Sequence, residues 1–369
     1  MSTDAGRFSR TSLLLRTDEY GCEVGGSQVY VSRYGEPVYQ DAVGSRMPGH
    51  AMTVDSSMMW TCCSKSAVLV PLAHLLSSHG MDEHTAVAQI IPEYAQAGKE
   101  QVRLSHVLTH TVGYQSYGLS WVEEVGASGG DETELILMSQ DEALAEVCRQ
   151  PIVDAPGSSV RYTAFSNWVV LAAIVERLSG RPYEDVTEEL LLAPLGMTRT
   201  KACLRSDDLS AWAPTRAPLH HFEADGSFQT SRSDEPPMVF QRWPGVGFRG
   251  PAAEMARPIE CLAGWRGRDL LDDRWRAKFT TAVRFDLPDA LYDGAELQWS
   301  LGLCADPVPF GLDLSRELVG MTGKQSSFVF ADLAGGVTVS FLSNKLVPHL
   351  VDRRRKISLV RSIMADLER

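Results

Sequence analysis

The most informative stretch of the chain is residues 60–66, which read Trp60-Thr61-Cys62-Cys63-Ser64-Lys65-Ser66. This stretch places a thiol at Cys62 three positions before an amine at Lys65. Residues three apart lie on one face of a helix, so the two side chains are neighbours if the stretch is helical. An adjacent ammonium and a helix N-terminus both stabilise a thiolate. The spacing therefore predicts a reactive Cys62 with Lys65 as its activator.

Alternatives remain open for the same residues. Free cysteine is among the most buried residue types, so Cys62 also fits a small apolar core residue. Cys63 lacks this spacing to Lys65 and is expected in the core. Ser64 can cap the following helix, but it makes a poor nucleophile because adjacent residues do not share a helix face.

The residues after the pair predict a buried helix. From Ser64 to Ser78 the chain is apolar nearly all round, as in a helix at the centre of a protein. Residues 27–43 alternate apolar and polar positions on either side of a Tyr-Gly-Glu-Pro turn, which predicts a hairpin. Later strands are predicted at Leu297–Cys304, Ser326–Ala331 and Gly336–Leu342, and a closing helix at Ile357–Leu367.

Strand patterns at both ends, with a mainly helical middle, predict an α+β fold with one sheet built from distant segments. We expect a single unit over residues 1–369. Its α/β sheet subdomain would comprise residues 1–79 and 251–369, and a mostly helical subdomain would comprise residues 80–250. The cleft between the two would hold Cys62.

Composition excludes several functions. The chain has 369 residues, and 47 acidic against 35 basic residues give a net charge of -12, which argues against a nucleic-acid partner. We see no secretory signal and no apolar run near the roughly 20 residues of a membrane span, so we predict a cytoplasmic protein. Seven scattered cysteines suit reduced thiols.

His106 and His110 lack the glutamate of a HExxH site, so we expect neither a metal nor another cofactor. Surface positions are expected for His220-His221 and for the basic run Arg353–Lys356.

Further segments carry a family resemblance. They are Leu104–Gly113 (LSHVLTHTVG), Pro156–Tyr162 (PGSSVRY), Pro194–Met197 (PLGM) and Gly320–Gly323 (GMTG). With the C-x-x-K pair, they resemble in order and approximate spacing the class C β-lactamases, penicillin-binding peptidases and family VIII esterases. The resemblance covers about residues 20 to 367. It implies a β-lactamase/transpeptidase-like fold, an antiparallel sheet flanked by helices, with cysteine in place of the nucleophilic serine.

The resemblance also implies roles for individual residues. Cys62 would be the nucleophile, Lys65 its activator and Tyr162 a proton shuttle. The family's Tyr-x-Asn triplet reads Tyr162-Thr163-Ala164 here, so Asn167 is the candidate for a contact with a substrate amide. The alternative for Tyr162 is an aromatic packing residue ahead of the next helix.

The third family motif has lost its cation. Met321 occupies the place of a histidine or lysine, and methionine cannot pair with a substrate carboxylate, which disfavours penicillin-like substrates. Met321, Thr322, Gly323 and Lys324 are predicted to bind substrate along an edge strand beside the cleft. The backbone N–H of Cys62 and of a residue near Lys324 would form the oxyanion hole. Lys324 either supplies the missing charge or is a solvated edge lysine.

The implied activity is acyl transfer. A thioester reacts with amines in preference to water more readily than an oxygen ester does, which favours an acyltransferase in small-molecule biosynthesis. The donor would be a small-molecule ester or thioester, including a carrier-protein or coenzyme A thioester, and the acceptor an amine or alcohol. An esterase or amidase is one alternative. A non-catalytic ligand- or protein-binding homologue is the other, since three motif residues have changed.

Overall fold

A computed structural model describes residues 6–115, 138–223, 225–284, 287, 297–310, 314–315, 317–324 and 326–368. Residues 116–137, within the predicted helical region, lie outside this set. Across the described ranges, no helix is both long enough and apolar enough to cross a lipid bilayer. The subdomain boundaries at residues 79 and 251 stay a prediction.

The centre of the molecule is a six-stranded antiparallel sheet. The strands of the chain are β1 (Gly26–Arg33), β2 (Glu36–Met47), β3 (His50–Ala51), β4 (Met58–Met59), β5 (His220–Phe222), β6 (Phe228–Thr230), β7 (Arg249–Gly250), β8 (Leu318–Gly323), β9 (Ser327–Asp332), β10 (Val337–Ser343) and β11 (Lys345–Leu346). The six pair in the order β3-β2-β1-β10-β9-β8, so distant segments build one sheet and β8 is an edge strand. The predicted hairpin is β1–β2, and two of the three later strands predicted are β9 and β10.

Helices cover both faces of this sheet. They are α1 (Ser9–Leu15), α2 (Lys65–Ser78), α3 (Val87–Ile90), α4 (Leu104–Leu108), α5 (Gln140–Arg149), α6 (Ser166–Ser179), α7 (Tyr183–Thr187), α8 (Leu209–Trp212), α9 (Ala252–Leu262), α10 (Asp273–Thr280) and α11 (His349–Leu367). The buried helix predicted from Ser64 is α2, and the predicted closing helix is the second half of α11. The α+β class predicted from the sequence is confirmed.

Alternation along the strands creates two cores. In β9, Phe328 and Phe330 face the core covered by α1 and α11, whereas Val329 and Ala331 face the larger core that contains α2 and α9. Because α2 is buried in the larger core, it packs against the sheet and against neighbouring helices. The residues of its first turn therefore have little freedom to move.

The strand predicted at Leu297–Cys304 is wrong. The segment turns back on itself, with the Ser300 N–H donating to Leu303 O at 2.9 Å and Gly302 at φ +91°. Trp299 and Cys304 consequently pair with each other in an isolated bridge. The apolar pattern reflects burial of a compact turn, and a left-handed glycine makes that turn possible.

The predicted surface position of the basic run Arg353–Lys356 is also wrong for half of it. Arg355 is fully buried, Lys356 is only 5% exposed, and both lie within 3.0 Å of the carboxylate of Asp352. Asp352 forms ion pairs with both cations across one turn of α11, and this compensation allows the two side chains to be buried. His220 is buried as well, at 2% exposed.

Candidate active site

The nucleophile turn, residues Trp60 to Lys65, brings the predicted pair together. Thr61–Ser64 form a 3₁₀-helix that runs directly into α2 at Lys65. Side chains three positions apart eclipse one another in a 3₁₀-helix. Cys62 and Lys65 accordingly lie side by side, close enough for negative charge on the sulfur to favour the Lys65 ammonium.

Lys65 is fully buried, and its Nζ donates to two backbone carbonyls, Gly245 O at 3.0 Å and Ala164 O at 3.3 Å. The side chain of Cys62 lies beside the amine. The ring of Tyr162 lies beside the amine as well, with its centroid 5.5 Å from Nζ. Burial lowers the pKa of Lys65 below its ordinary value, while negative charge on Cys62 opposes that shift.

The two carbonyls bind Lys65 in either protonation state. A neutral amine donates its two N–H groups to them and keeps a lone pair, whereas an ammonium has a third N–H besides. Gain or loss of a proton at Nζ therefore leaves both carbonyl bonds intact. Within the described residues no carboxylate pairs with Lys65 to hold it permanently charged.

Hydrogen bonds join the nucleophile turn to strands β8 and β9. Ser327 Oγ donates to Trp60 O at 2.8 Å and lies 2.9 Å from Thr61 Oγ1. Cys63 Sγ donates to Met321 O at 3.3 Å. Cys63 is buried in the core as predicted, and burial raises the pKa of its thiol to about 12. A thiol held neutral by burial is a poor nucleophile, which disfavours Cys63 in that role.

Thr61 and Gly323 bring the turn into direct contact with the end of β8. Thr61 has φ +51°, a left-handed conformation that is unfavourable for a β-branched residue and costs about 1–3 kcal/mol. A Cβ on Gly323 would lie only 1.9 Å from Thr61 Oγ1, so no larger residue fits there. The strained residue before Cys62 thus packs directly against the strand that carries the third motif.

Cys62 opens into a cavity of about 160 Å³. Lys324 also lines this cavity, at its exposed rim. The remaining wall is mainly apolar and includes Met59, Phe165, Leu219, Met238, Trp243 and Leu346. Phe165 and Trp243 meet edge to face, with ring centroids 5.3 Å apart. Such a wall favours an apolar acyl group over a charged one.

The second motif contributes differently from what the sequence predicts. Ala164, at the position where the sequence analysis expects the family's asparagine, lines the cavity. Asn167 is fully buried in the first turn of α6, where its amide nitrogen donates to Val107 O at 2.8 Å and lies 3.1 Å from His110 Nδ1. Because its side chain is turned into the core, the structure does not bring Asn167 to the substrate cavity.

His110 supports the segment that carries Tyr162. Its Nδ1 accepts the Thr163 N–H at 3.2 Å, and its ring packs on Tyr162 with centroids 4.5 Å apart. Burial lowers the pKa of His110 well below its ordinary value, so the ring is neutral. Across the described residues, no three histidine, cysteine or acidic side chains are grouped to hold a metal ion.

The third-motif residues divide between core and cavity. Met321 is 1% exposed and its side chain packs in the larger core, so the structure does not place it against substrate. Thr322 is partly buried, and Gly323 contributes close backbone packing rather than a side chain. Lys324 is therefore the one predicted third-motif residue that the structure places on the cavity wall.

Sequence reasoning missed the loop around Gly245. Its carbonyl binds Lys65, and a Cβ at this position would lie 2.7 Å from Trp168 Cγ and 3.0 Å from Ala164 O. Glycine is thus what allows the loop to reach the lysine. The Trp-Pro-Gly sequence at residues 243–245 indicates a turn but carries no signal of its distant partner.

Comparisons with known proteins agree with this geometry. Esterase EstB from Burkholderia gladioli is 30% identical over 182 residues, which is 47% of this chain and 45% of EstB. A putative D-alanyl-D-alanine carboxypeptidase from Escherichia coli K12 is 28% identical over 305 residues, 75% of this chain and 66% of the relative. The matches thus span less than two thirds of either relative.

A solved structure shares the fold over nearly the whole chain. EstCE1, described as a hydrolase with promiscuous acyltransferase activity, superposes with a TM-score of 0.80 at 18% identity. The alignment covers 98% of this chain and all of EstCE1. The beta-lactamase family model matches residues 16–361, which include the nucleophile turn, the Tyr162 segment and β8. The chain therefore belongs to the beta-lactamase family.

Proposed function

We propose that this protein is an acyltransferase that carries the acyl group as a thioester on Cys62. The observation that supports this most directly is that Lys65, fully buried beside Cys62, donates to two carbonyls and has no carboxylate partner among the described residues. That arrangement supplies a nucleophile and its base in contact, as covalent catalysis requires. It also keeps the base satisfied before and after proton transfer.

Acylation would proceed by attack of the Cys62 thiolate on the carbonyl carbon of a donor R–CO–X. The new S–C bond creates an oxyanion, which the N–H at the start of the helix stabilises. The C–X bond then breaks, and X leaves with the proton that Lys65 took from the thiol. Tyr162, beside the lysine, would relay that proton.

Transfer would reverse these roles. An amine or alcohol H–Nu gives its proton to Lys65 while Nu attacks the thioester carbonyl. Breaking the C–S bond returns the electron pair to Cys62, and the thiolate–ammonium pair is restored. The sum is R–CO–X + H–Nu → R–CO–Nu + H–X, with no other reactant.

The cavity supports a donor with an apolar acyl group. Its wall is mainly apolar, and Ala164 and Met321 replace the groups that would bind a substrate amide and carboxylate. The donor would be a small-molecule, carrier-protein or coenzyme A thioester or ester. All seven cysteines are free, which supports a reducing, cytoplasmic setting. Hydrolysis shares the acylation step and is the alternative that the likeness to esterase EstB favours.

Intact-mass measurement tests the proposal. We would incubate the protein briefly with p-nitrophenyl esters and N-acetylcysteamine thioesters of increasing chain length. We expect a mass gain equal to the acyl group in the wild type and in the matched control Cys63→Ala. The gain should be absent in Cys62→Ala.

The outcomes separate the three functions. An adduct that is released to amine or alcohol acceptors as amide or ester supports the transferase. Release only as free acid, across a broad acceptor panel, identifies a hydrolase. No adduct, together with iodoacetamide alkylation of Cys62 no faster than that of the other cysteines, would indicate a binding protein.

A further inference from the structure

A buried lysine of the C-terminal helix contacts the end of β8, beside the candidate active site. Lys356 of α11 directs its Nζ to Gly323 O, the last carbonyl of β8, at 3.2 Å. Its position is fixed by Asp352, whose Oδ2 lies 2.8 Å from Nζ. The lysine is 5% exposed, so it makes these contacts inside the protein rather than at its surface. Nothing in the reaction outlined above uses it.

The carbonyl that Lys356 binds belongs to the peptide between Gly323 and Lys324. A trans peptide is planar, and its C=O and N–H point in opposite directions. The C=O faces α11, so the N–H faces away from that helix, on the side where Lys324 and Cys62 line a common cavity. Gly323 also packs against Thr61, directly before the nucleophile.

We propose that Lys356 is a positioning residue for acyl transfer, which orients and polarises the Gly323–Lys324 peptide so that its positive end faces the oxyanion formed at Cys62. This inference rests on the proposed function. Hydrogen bonds from an ammonium are about twice as strong as neutral ones, and a bonded C=O makes the N–H of the same amide a better donor.

The role proposed for Lys356 concerns steps that place negative charge on a carbonyl oxygen. Acylation of Cys62 is such a step, and preorganised donors lower its barrier. Alkylation of Cys62 by iodoacetamide is a displacement at a CH₂ group and forms no oxyanion. The two reactions use the same thiolate, so their ratio reports on Lys356 separately from Lys65.

The test compares Lys356→Met, Lys356→Arg and a matched control, Lys99→Met. Lys99 is also fully buried and donates to a backbone carbonyl, that of Gln150, but it is not part of the cavity wall. For each variant we would measure acylation by p-nitrophenyl acetate and alkylation of Cys62 by iodoacetamide. Removing a direct oxyanion donor costs about 10²–10³-fold, so we expect an indirect loss of about tenfold or more in Lys356→Met acylation.

Alkylation should be unchanged in Lys356→Met, and Lys356→Arg should recover part of the acylation rate because it keeps the charge. Lys99→Met should behave as the wild type in both reactions. Unchanged acylation in Lys356→Met would overturn the inference, and so would an equal loss in both reactions, which would indicate a general structural effect. A wild type that is never acylated would overturn the proposed function, and this inference with it.

Discussion

Two lysines are buried near the nucleophile turn, Lys65 within it and Lys356 beyond β8, and they have opposite surroundings. Lys65 donates to two carbonyls, whereas Lys356 has the carboxylate of Asp352 and one carbonyl. Burial penalises a charge unless an opposite charge compensates it. The Lys65 region therefore suits a base that gives and takes a proton, and the Lys356 region suits a fixed charge.

The largest effect should come from removing Lys65, the proposed base. Lys65→Met leaves Cys62 without a base or a counter-charge, so we expect acylation to fall by about 10³-fold. Alkylation by iodoacetamide should fall as well, in contrast to Lys356→Met. Stopped-flow acylation and mass-detected alkylation would measure both rates. If alkylation of Cys62 survives in Lys65→Met, the two regions do not differ in the way we infer.

The second effect concerns stability. Asp352→Asn would leave the ammonium of Lys356 buried without its carboxylate, so the free energy of unfolding should fall by about 3 kcal/mol. Urea denaturation measures this loss. The double variant Asp352→Asn/Lys356→Met should recover part of it, because the uncompensated charge is removed. A double variant less stable than Asp352→Asn would show that Lys356 needs no counter-charge.

A smaller effect is expected at Tyr162. Tyr162→Phe keeps the ring against Lys65 and His110 but removes the hydroxyl. If the hydroxyl relays a proton, acyl transfer should slow by about tenfold, at the low end of what acid–base groups contribute. Alkylation of Cys62 should be unaffected. A transfer rate equal to that of the wild type would instead support the alternative of an aromatic packing residue.

The smallest effect is a pH dependence of stability. The folded pKa of Lys65 is lowered from its ordinary value of 10.5, so between those two pKa values the unfolded chain binds a proton that the native state has lost. In that range the free energy of unfolding of the wild type therefore increases as the pH rises. Lys65→Met lacks this gain. Urea unfolding at several pH values from 7 to 10 should show wild type gaining on the variant, and the opposite trend would contradict the lowered pKa.

Local spacing made much of the site predictable. The three-residue interval fixed Cys62 beside Lys65 because the backbone there is helical, whichever of the two helix types it adopts. The alternating patterns of β9 and β10 and the all-apolar α2 were likewise readable, since each reports its own burial. Tyr162 was found through its distance from the Pro-Gly pair, a local signal too.

Contacts between distant segments were not predictable. The carbonyl of Gly245 reaches Lys65 across 180 residues, and a backbone group carries no residue-specific signal. Lys356 belongs to a run of four basic residues, and such runs are ordinarily exposed. Its burial depends on the ion pair with Asp352 and on the hydrogen bond to the end of β8, and neither can be read from the run itself. A substrate contact was predicted for Asn167, whose side chain is instead buried in the core, because the sequence does not reveal which way the first turn of α6 faces.

The two carbonyls bound by Lys65 come from segments that lie against each other. Ala164 lies just before α6 and Gly245 lies in the Pro-rich loop, so one buried amine joins the loop to the start of the helix. Separating the two segments would break at least one of these bonds and leave an N–H group of Lys65 buried without its acceptor, which costs free energy. The base of the proposed reaction is thus also a structural link between residues 164 and 245, and a substitution that removes it acts on both.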